Sequence, residues 1–306
     1  MSRPQPNRLS PLSRRAFVAL AGLAAGASLH PMQALAQQAA AQRIVAAGGV
    51  VTEILYALGL ADQVVGVDTT SLYPATALKD KPDVGYVRAL SAEGVLSLKP
   101  TLVIAIDGAG PPDTMKLIQE AGIRVERLPE DLSAAGIVTR IRTVGRLAGA
   151  ADKADALARE VEAKFQTLAG QRDKLAARKR VLFILSLQNG RVVVGGRHSS
   201  ADAIIALAGA VNAAADVEGY KPLTDEGIIA AAPDAVLVMQ RGDHALSASD
   251  VFGLPAFAAT PAARDKALIG MDGLYLLGFG PRTPDAAHDL MAAVYGLGEG
   301  QAGRRP

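Results

Sequence analysis

The chain of 306 residues contains no cysteine, so no disulfide framework supports its fold. A bacterial lipid anchor, which needs a cysteine at the processed N-terminus, is also excluded. Several catalytic signatures are missing as well. There is no G-x-S-x-G elbow, no P-loop and no G-x-G-x-x-G fingerprint, since Gly48-Gly49 runs on into Val50-Val51-Thr52-Glu53. Beyond residue 36 only His198, His244 and His288 remain, at spacings that match no zinc motif. A triad built on Ser199 and His198 has no further support.

The positive charge is also less than it looks. The 32 Lys and Arg include Arg3, Arg8, Arg14 and Arg15, and residues 1–36 hold no acid. Without that segment 28 basic residues face 30 acidic ones, a net of −2. No basic stripe remains to neutralise phosphates, so nucleic acid is not an expected partner.

What is present begins with that same segment. Arg14-Arg15 with Phe17, an apolar stretch Val18–Leu29 and Ala34-Leu35-Ala36 form the three parts of an export signal. The arginine pair points to the twin-arginine route, with cleavage expected after Ala36. The apolar stretch is short for a membrane span of about 20 residues. With no anchor, the processed chain is expected to be free in a periplasm. The 50% hydrophobic content, rich in Ala, Val, Ile and Leu, fits α/β layers with strands buried under helices.

An internal repeat gives the architecture. RIVAAGGVVTEILYALG from Arg43 matches RVVVGGRHSSADAIIALAG from Arg191, each reading strand, Gly-Gly turn, helix. Gly48 pairs with Gly195 and Tyr73 with Tyr220 at one offset of 147. SAEGVLSLKPTLVI from Ser91 matches TDEGIIAAAPDAVLV from Thr224, pairing Glu93 with Glu226. Each of these later segments reads as a capped helix, a proline stop and a buried strand. Two similar α/β lobes with a cleft between them are therefore expected, over 42–149 and 179–300.

Between the lobes, residues 150–178 hold no proline and place Leu157, Val161, Phe165, Leu168 and Leu175 on one apolar stripe. This predicts a single long connecting helix of roughly 40 Å at 1.5 Å per residue, with Gly170 marking a bend. A helical connector restricts hinge motion.

Tyr73 stands before Pro74, after a strand expected at Val64–Val67. Ligand clefts of α/β sheets open at such carboxyl ends. Its phenol could serve a ligand, or could simply pack at a cleft edge with its hydroxyl on the backbone. For Tyr220 the packing role is the stronger reading. Arg88 in the Gly85-Tyr86-Val87-Arg88 turn, and Arg282, could each meet a ligand carboxylate or a structural acid.

TEILYALG (52–59), VGVDTTSLYP (65–74), VGYVRALSAEGVLSLKPTLVIA (84–105), GAGPP (108–112) and LLGFGPRTPDA (276–286) together resemble the periplasmic haem-binding proteins of bacterial haem ABC importers, within the class III solute-binding proteins. The resemblance implies two α/β lobes joined by one helix, no enzymatic activity, and haem b, as ferric hemin, carried as a monomer to an inner-membrane permease dimer. It implies that Tyr73 ligates the iron, a role suited to a hard phenolate oxygen. Arg241 in VMQRGDH is implied as a partner of the phenolate, though it could be a solvated loop cation. Arg88 and Arg282 are candidates for the haem propionates.

By the same resemblance His198 is a candidate second haem ligand, with a helix-start role as the plainer reading. Glu93 and Glu226 are implied as one docking acid per lobe, placed for a two-fold permease; on sequence alone each is an acid favoured by a helix N-terminus. One departure is Ala75, where some relatives carry a basic residue. A siderophore or cobalamin carrier of the same fold is the alternative cargo reading. A haem-handling enzyme or a receptor domain is the alternative of another class.

Overall fold

The computed structural model describes residues 42–240 and 246–297. The expected export signal and Arg241 lie outside the described residues. The described residues group as one compact unit. No helix among the described residues is long and apolar enough to cross a membrane.

The first sheet is built from β1 (Ile44–Ala47), β2 (Val64–Val67), β5 (Leu102–Ile106) and β6 (Arg124–Leu128), in the order β2-β1-β5-β6. All its pairings are parallel. Helices α1 (Gly49–Ala57), α2 (Thr76–Asp80), α3 (Ala92–Ser97), α4 (Pro112–Glu120) and α5 (Ala134–Leu147) connect or cover it. A short hairpin of β3 (Gly85–Tyr86) and β4 (Ala89–Leu90) precedes α3.

Helix α6 (Ala151–Arg172) leads to the second sheet. That sheet contains β7 (Arg180–Gln188), β8 (Arg191–Gly195), β9 (Val211–Asn212), β10 (Tyr220–Leu223), β11 (Ala235–Gln240) and β12 (Leu268–Asp272). Their order is β10-β8-β7-β11-β12, with β9 on β7. Its helices are α7 (Ser200–Leu207), α8 (Asp225–Ala231), α9 (Ala248–Phe252), α10 (Pro255–Ala258), α11 (Pro261–Arg264), α12 (Gly273–Leu277) and α13 (Thr283–Tyr295).

Strand periodicity sorts the core into three bodies. Ile44 and Ala46 join the central cluster, while Val45 and Ala47 point to the opposite face of the first sheet. In the second sheet Val181 and Phe183 join the central cluster, and Leu182 and Ile184 point away. Both sheets are therefore buried on both faces, as the apolar runs require. The central cluster runs without a break from α1 through α5, α6 and α13 to α7.

One expectation needs correction. The connecting helix ends at Arg172, not near residue 178. Its 22 residues span roughly 33 Å at 1.5 Å per residue. Leu175 follows it and packs on the turn at Gly209 and against the central cluster. Gly170 lies inside the last turns of α6 with nothing within 4 Å of an added Cβ, and it starts no new element. The helix is also no isolated rod, since Ala154, Ala158, Val161, Phe165 and Leu168 bury into the shared core.

The repeat is real but not a copy of the sheet. β1 is a central parallel strand, whereas its sequence counterpart β8 runs antiparallel to β7. The strand–turn–helix unit was duplicated in sequence pattern. The β7–β8 hairpin then gives the second sheet a different layout.

Candidate functional site

The segment after β2 owes its shape to Asp68, which is fully buried. Its Oδ1 accepts from Gly48 N–H at 2.7 Å, and its Oδ2 accepts from Thr70 N–H at 2.9 Å and Thr70 Oγ1–H at 2.6 Å. Ser71 Oγ donates to Oδ1 at 3.2 Å and also bonds to Thr52 Oγ1 at 2.7 Å. A carboxylate taking this many charge-assisted hydrogen bonds fixes the loop onto the start of α1. Gly49 makes the fit possible, because a Cβ there would lie 2.2 Å from the Thr70 carbonyl oxygen. Asp68, Thr69, Thr70 and Ser71 thus act as a rigid base from which Leu72 and Tyr73 project. Both of those side chains are exposed.

Tyr73 is 39% exposed, and among the described residues its hydroxyl takes no hydrogen-bond partner. Its ring is covered by Arg282, whose guanidinium carbon lies 3.5 Å from the ring centroid. That arginine is held from below. Its Nη2 donates to Glu53 Oε2 at 2.8 Å, and its backbone N–H donates to Glu53 Oε1 at 3.3 Å. Glu53 is buried on α1. Tyr275 of α12 flanks Arg282 at 5.2 Å. Burial first, then the hydrogen bond to Asp289, holds the Tyr275 phenol above its usual range.

The turn that carries Arg282 reaches across to the first lobe. Phe279 is buried in the central cluster, and its carbonyl accepts from Arg140 Nη1 at 2.8 Å. Arg140, itself buried, also donates to the carbonyls of Pro129 and Asp131. Burial lowers its pKa from the usual arginine range.

Of the residues singled out in the sequence, Tyr73 and Arg282 come into contact. Arg88 is exposed on the β3–β4 turn, and its guanidinium lies across Gly108, where a Cβ would meet Nη1 at 3.0 Å. His198 sits elsewhere, just before the α7 cap Ser199, in the left-handed region at φ 60°. Its Nδ1 is 3.7 Å from Glu218 Oε1 and both side chains are largely exposed. Glu93 and Glu226 are exposed in the first turns of α3 and α8. Their settings match, since Ser91 caps α3 by accepting from Gly94 and Thr224 caps α8 by accepting from Gly227.

Sequence reasoning missed Glu53, Asp68 and Tyr275. Glu53 carried a signal, because a lone acid in the apolar run Val50–Leu55 asks for a partner. Asp68-Thr69-Thr70-Ser71 carried another, as such residues build side-chain-to-backbone turns. Two concavities lie apart from this loop. One of about 100 Å³ borders Arg140, and one of about 480 Å³ lies between α6 and α13.

Comparison with known proteins adds to this geometry. A family model described as periplasmic binding protein matches residues 44–274. The fold is similar to that of the periplasmic heme-binding protein RhuT from Roseiflexus sp. RS-1, solved in apo form. That likeness has a TM-score of 0.79 and 40% identity, and covers 84% of this chain and 99% of the other. It is also similar to the periplasmic heme-binding protein BhuT, solved in complex with two hemes. There the TM-score is 0.80 with 38% identity, over 83% of this chain and 97% of the other. An uncharacterized ABC transporter substrate-binding lipoprotein of Bacillus subtilis, YvrC, is 28% identical over 247 residues, covering 80% of this chain and 77% of its own length.

Proposed function

The chain belongs to the periplasmic binding protein family, and from this premise we propose that it captures haem outside the cytoplasm and delivers it to an ABC permease. The observation that carries the reading is the state of Tyr73. An exposed phenol with no hydrogen-bond partner among the described residues stands at the carboxyl end of a parallel sheet, backed by a cation. A phenolate there is a hard anionic ligand for ferric iron. The RhuT and BhuT likenesses support haem as the cargo.

The remaining roles follow the same reading. Tyr73 binds the iron of ferric haem b. Arg88, exposed on the neighbouring hairpin, is free to meet a propionate. His198 is the candidate ligand for a second haem. Glu93 and Glu226, on matching capped helix starts, dock the carrier on a two-fold permease, and no reaction is done on the cargo. Residues 1–36 direct export through the twin-arginine route. The lobes span 42–149 and 179–300, on either side of the connecting segment.

The test is a hemin titration of the purified protein without residues 1–36. The absence of tryptophan makes tyrosine the emitter, so fluorescence quenching and visible absorption can be followed together. The expected result is saturable binding with a ferric–phenolate charge-transfer band. That band is lost in Tyr73→Ala. Retention of cyanocobalamin or a ferric siderophore in place of hemin would overturn the haem reading.

A further inference from the structure

We propose that Glu53 is a positioning residue for the Tyr73 site, acting through Arg282; the inference rests on the haem reading above. Among the described residues Glu53 has no hydrogen bond to Tyr73. It binds Arg282 twice, once at the guanidinium and once at the backbone. The guanidinium carbon then lies 3.5 Å from the ring centroid. A cation over a ring face is held by the ring quadrupole, but an arginine has many rotamers and a solvated alternative. A buried carboxylate at one end of the fork removes those alternatives.

The surrounding packing is specific to this arrangement. Glu53 is 4% exposed, so its charge is tolerated only with Arg282 in place. At Gly280 a Cβ would come within 3.1 Å of Glu53 Oε1, so the turn closes directly over the carboxylate. The other end of the turn is tied by Arg140 to the Phe279 carbonyl. Two buried charges of the first lobe, one of each sign, therefore hold one turn of the second. The Nε–H of Arg282 is buried without a partner among the described residues. A buried donor left open costs stability, so the guanidinium sits where its contacts with Glu53 and the Tyr73 ring are made rather than where all its own donors are satisfied.

The consequence is that Glu53 and Arg282 set the orientation of the phenolate oxygen toward the iron and the charge beside it. The experiment compares Glu53→Gln, Arg282→Gln, Arg282→Lys and the double variant Glu53→Gln/Arg282→Gln with the wild type. Each is read by circular dichroism melting, hemin titration and the position of the ferric–phenolate band. We expect Glu53→Gln and Arg282→Gln each to weaken hemin binding roughly tenfold, the scale of one lost charge-assisted hydrogen bond, and to shift the band. The double variant should bind no worse than Arg282→Gln alone, because the two act as one unit. Arg282→Lys should shift the band too, since lysine keeps the charge but not the flat fork.

Folded variants with wild-type affinity and an unmoved band would overturn the proposal, even if their melting points fell. Additive losses in the double variant would also overturn it, by separating Glu53 from Arg282. If Arg282→Gln does not fold, an unmoved band in Arg282→Lys is enough to overturn it. A wild type that never binds hemin saturably would instead defeat the haem reading itself, and this inference with it.

Discussion

The two halves of the repeat place a tyrosine at the same distance from a Gly-Gly turn but in different settings, Tyr73 in a loop and Tyr220 at the start of β10. In the first, the second glycine of the Gly-Gly turn meets the carbonyl of Thr70, where a Cβ at Gly49 would lie 2.2 Å away. In the second, Gly196 meets the carbonyl of Val217, where a Cβ would lie 2.1 Å away. Thr70 and Val217 each lie three residues before the tyrosine. Tyr73 and Tyr220 are equally exposed, at 39% and 38%. The difference lies in the hydroxyl. That of Tyr220 bonds to Ser200 Oγ at 2.6 Å and accepts from Ala201 N–H at 3.4 Å, with its ring edge-on to Phe183. That of Tyr73 has no partner among the described residues, and its ring is held by a cation instead. Exposure alone does not make a ligand; what matters is whether the oxygen is already occupied.

The loops also differ in what fixes them, which gives the largest expected effect. Asp68 to Ala removes the acceptor of Gly48 and Thr70 N–H in a buried place. We expect a loss of about 3 kcal/mol, read as a lower urea midpoint, together with weaker hemin binding. An unchanged midpoint would mean that the loop does not depend on this carboxylate. The glycine pair sharpens the comparison at a smaller scale. Gly49→Ala and Gly196→Ala should each cost about 2 kcal/mol through overpacking. Only the first should disturb hemin, and equal effects on binding would break the assignment of function to one loop.

This equivalence was legible in the sequence, because the offset of 147 aligned glycine and tyrosine together. The α/β class, the capped starts of α3 and α8 and the strand before Tyr73 were legible for the same reason: turn chemistry and apolar period agree there. The antiparallel β7–β8 hairpin was missed although its signal was present: Asn189-Gly190 is a two-residue hairpin turn, with φ of 50° and 75°. The Glu53–Arg282 pair was out of reach, since its members are separated by 229 positions. Arg282 was singled out, but its partner was not. Helix α6 was extended too far because Leu175 kept the helical period after the chain had turned.

Two smaller effects complete the comparison. Tyr220→Phe removes a hydroxyl bonded to Ser200 and should cost about 1 kcal/mol, with hemin affinity unchanged; weakened hemin binding would give Tyr220 a share in the site. Glu93→Gln with Glu226→Gln should alter neither stability nor hemin titration, since both side chains are exposed. Uptake through the permease in reconstituted vesicles should fall. Undiminished uptake would return both acids to the role of helix-start charges.

The single apolar body that runs from α1 through α5, α6 and α13 to α7 has a thermodynamic consequence. Two lobes that share this central cluster should melt together, so calorimetry should show one transition whose calorimetric and van't Hoff enthalpies agree. Cargo held at Tyr73 would then raise the melting temperature of the second sheet as much as that of the first. A spectroscopic probe placed far from the ligand, on β12 for instance, would report the same ligand-induced shift in melting temperature as one beside it.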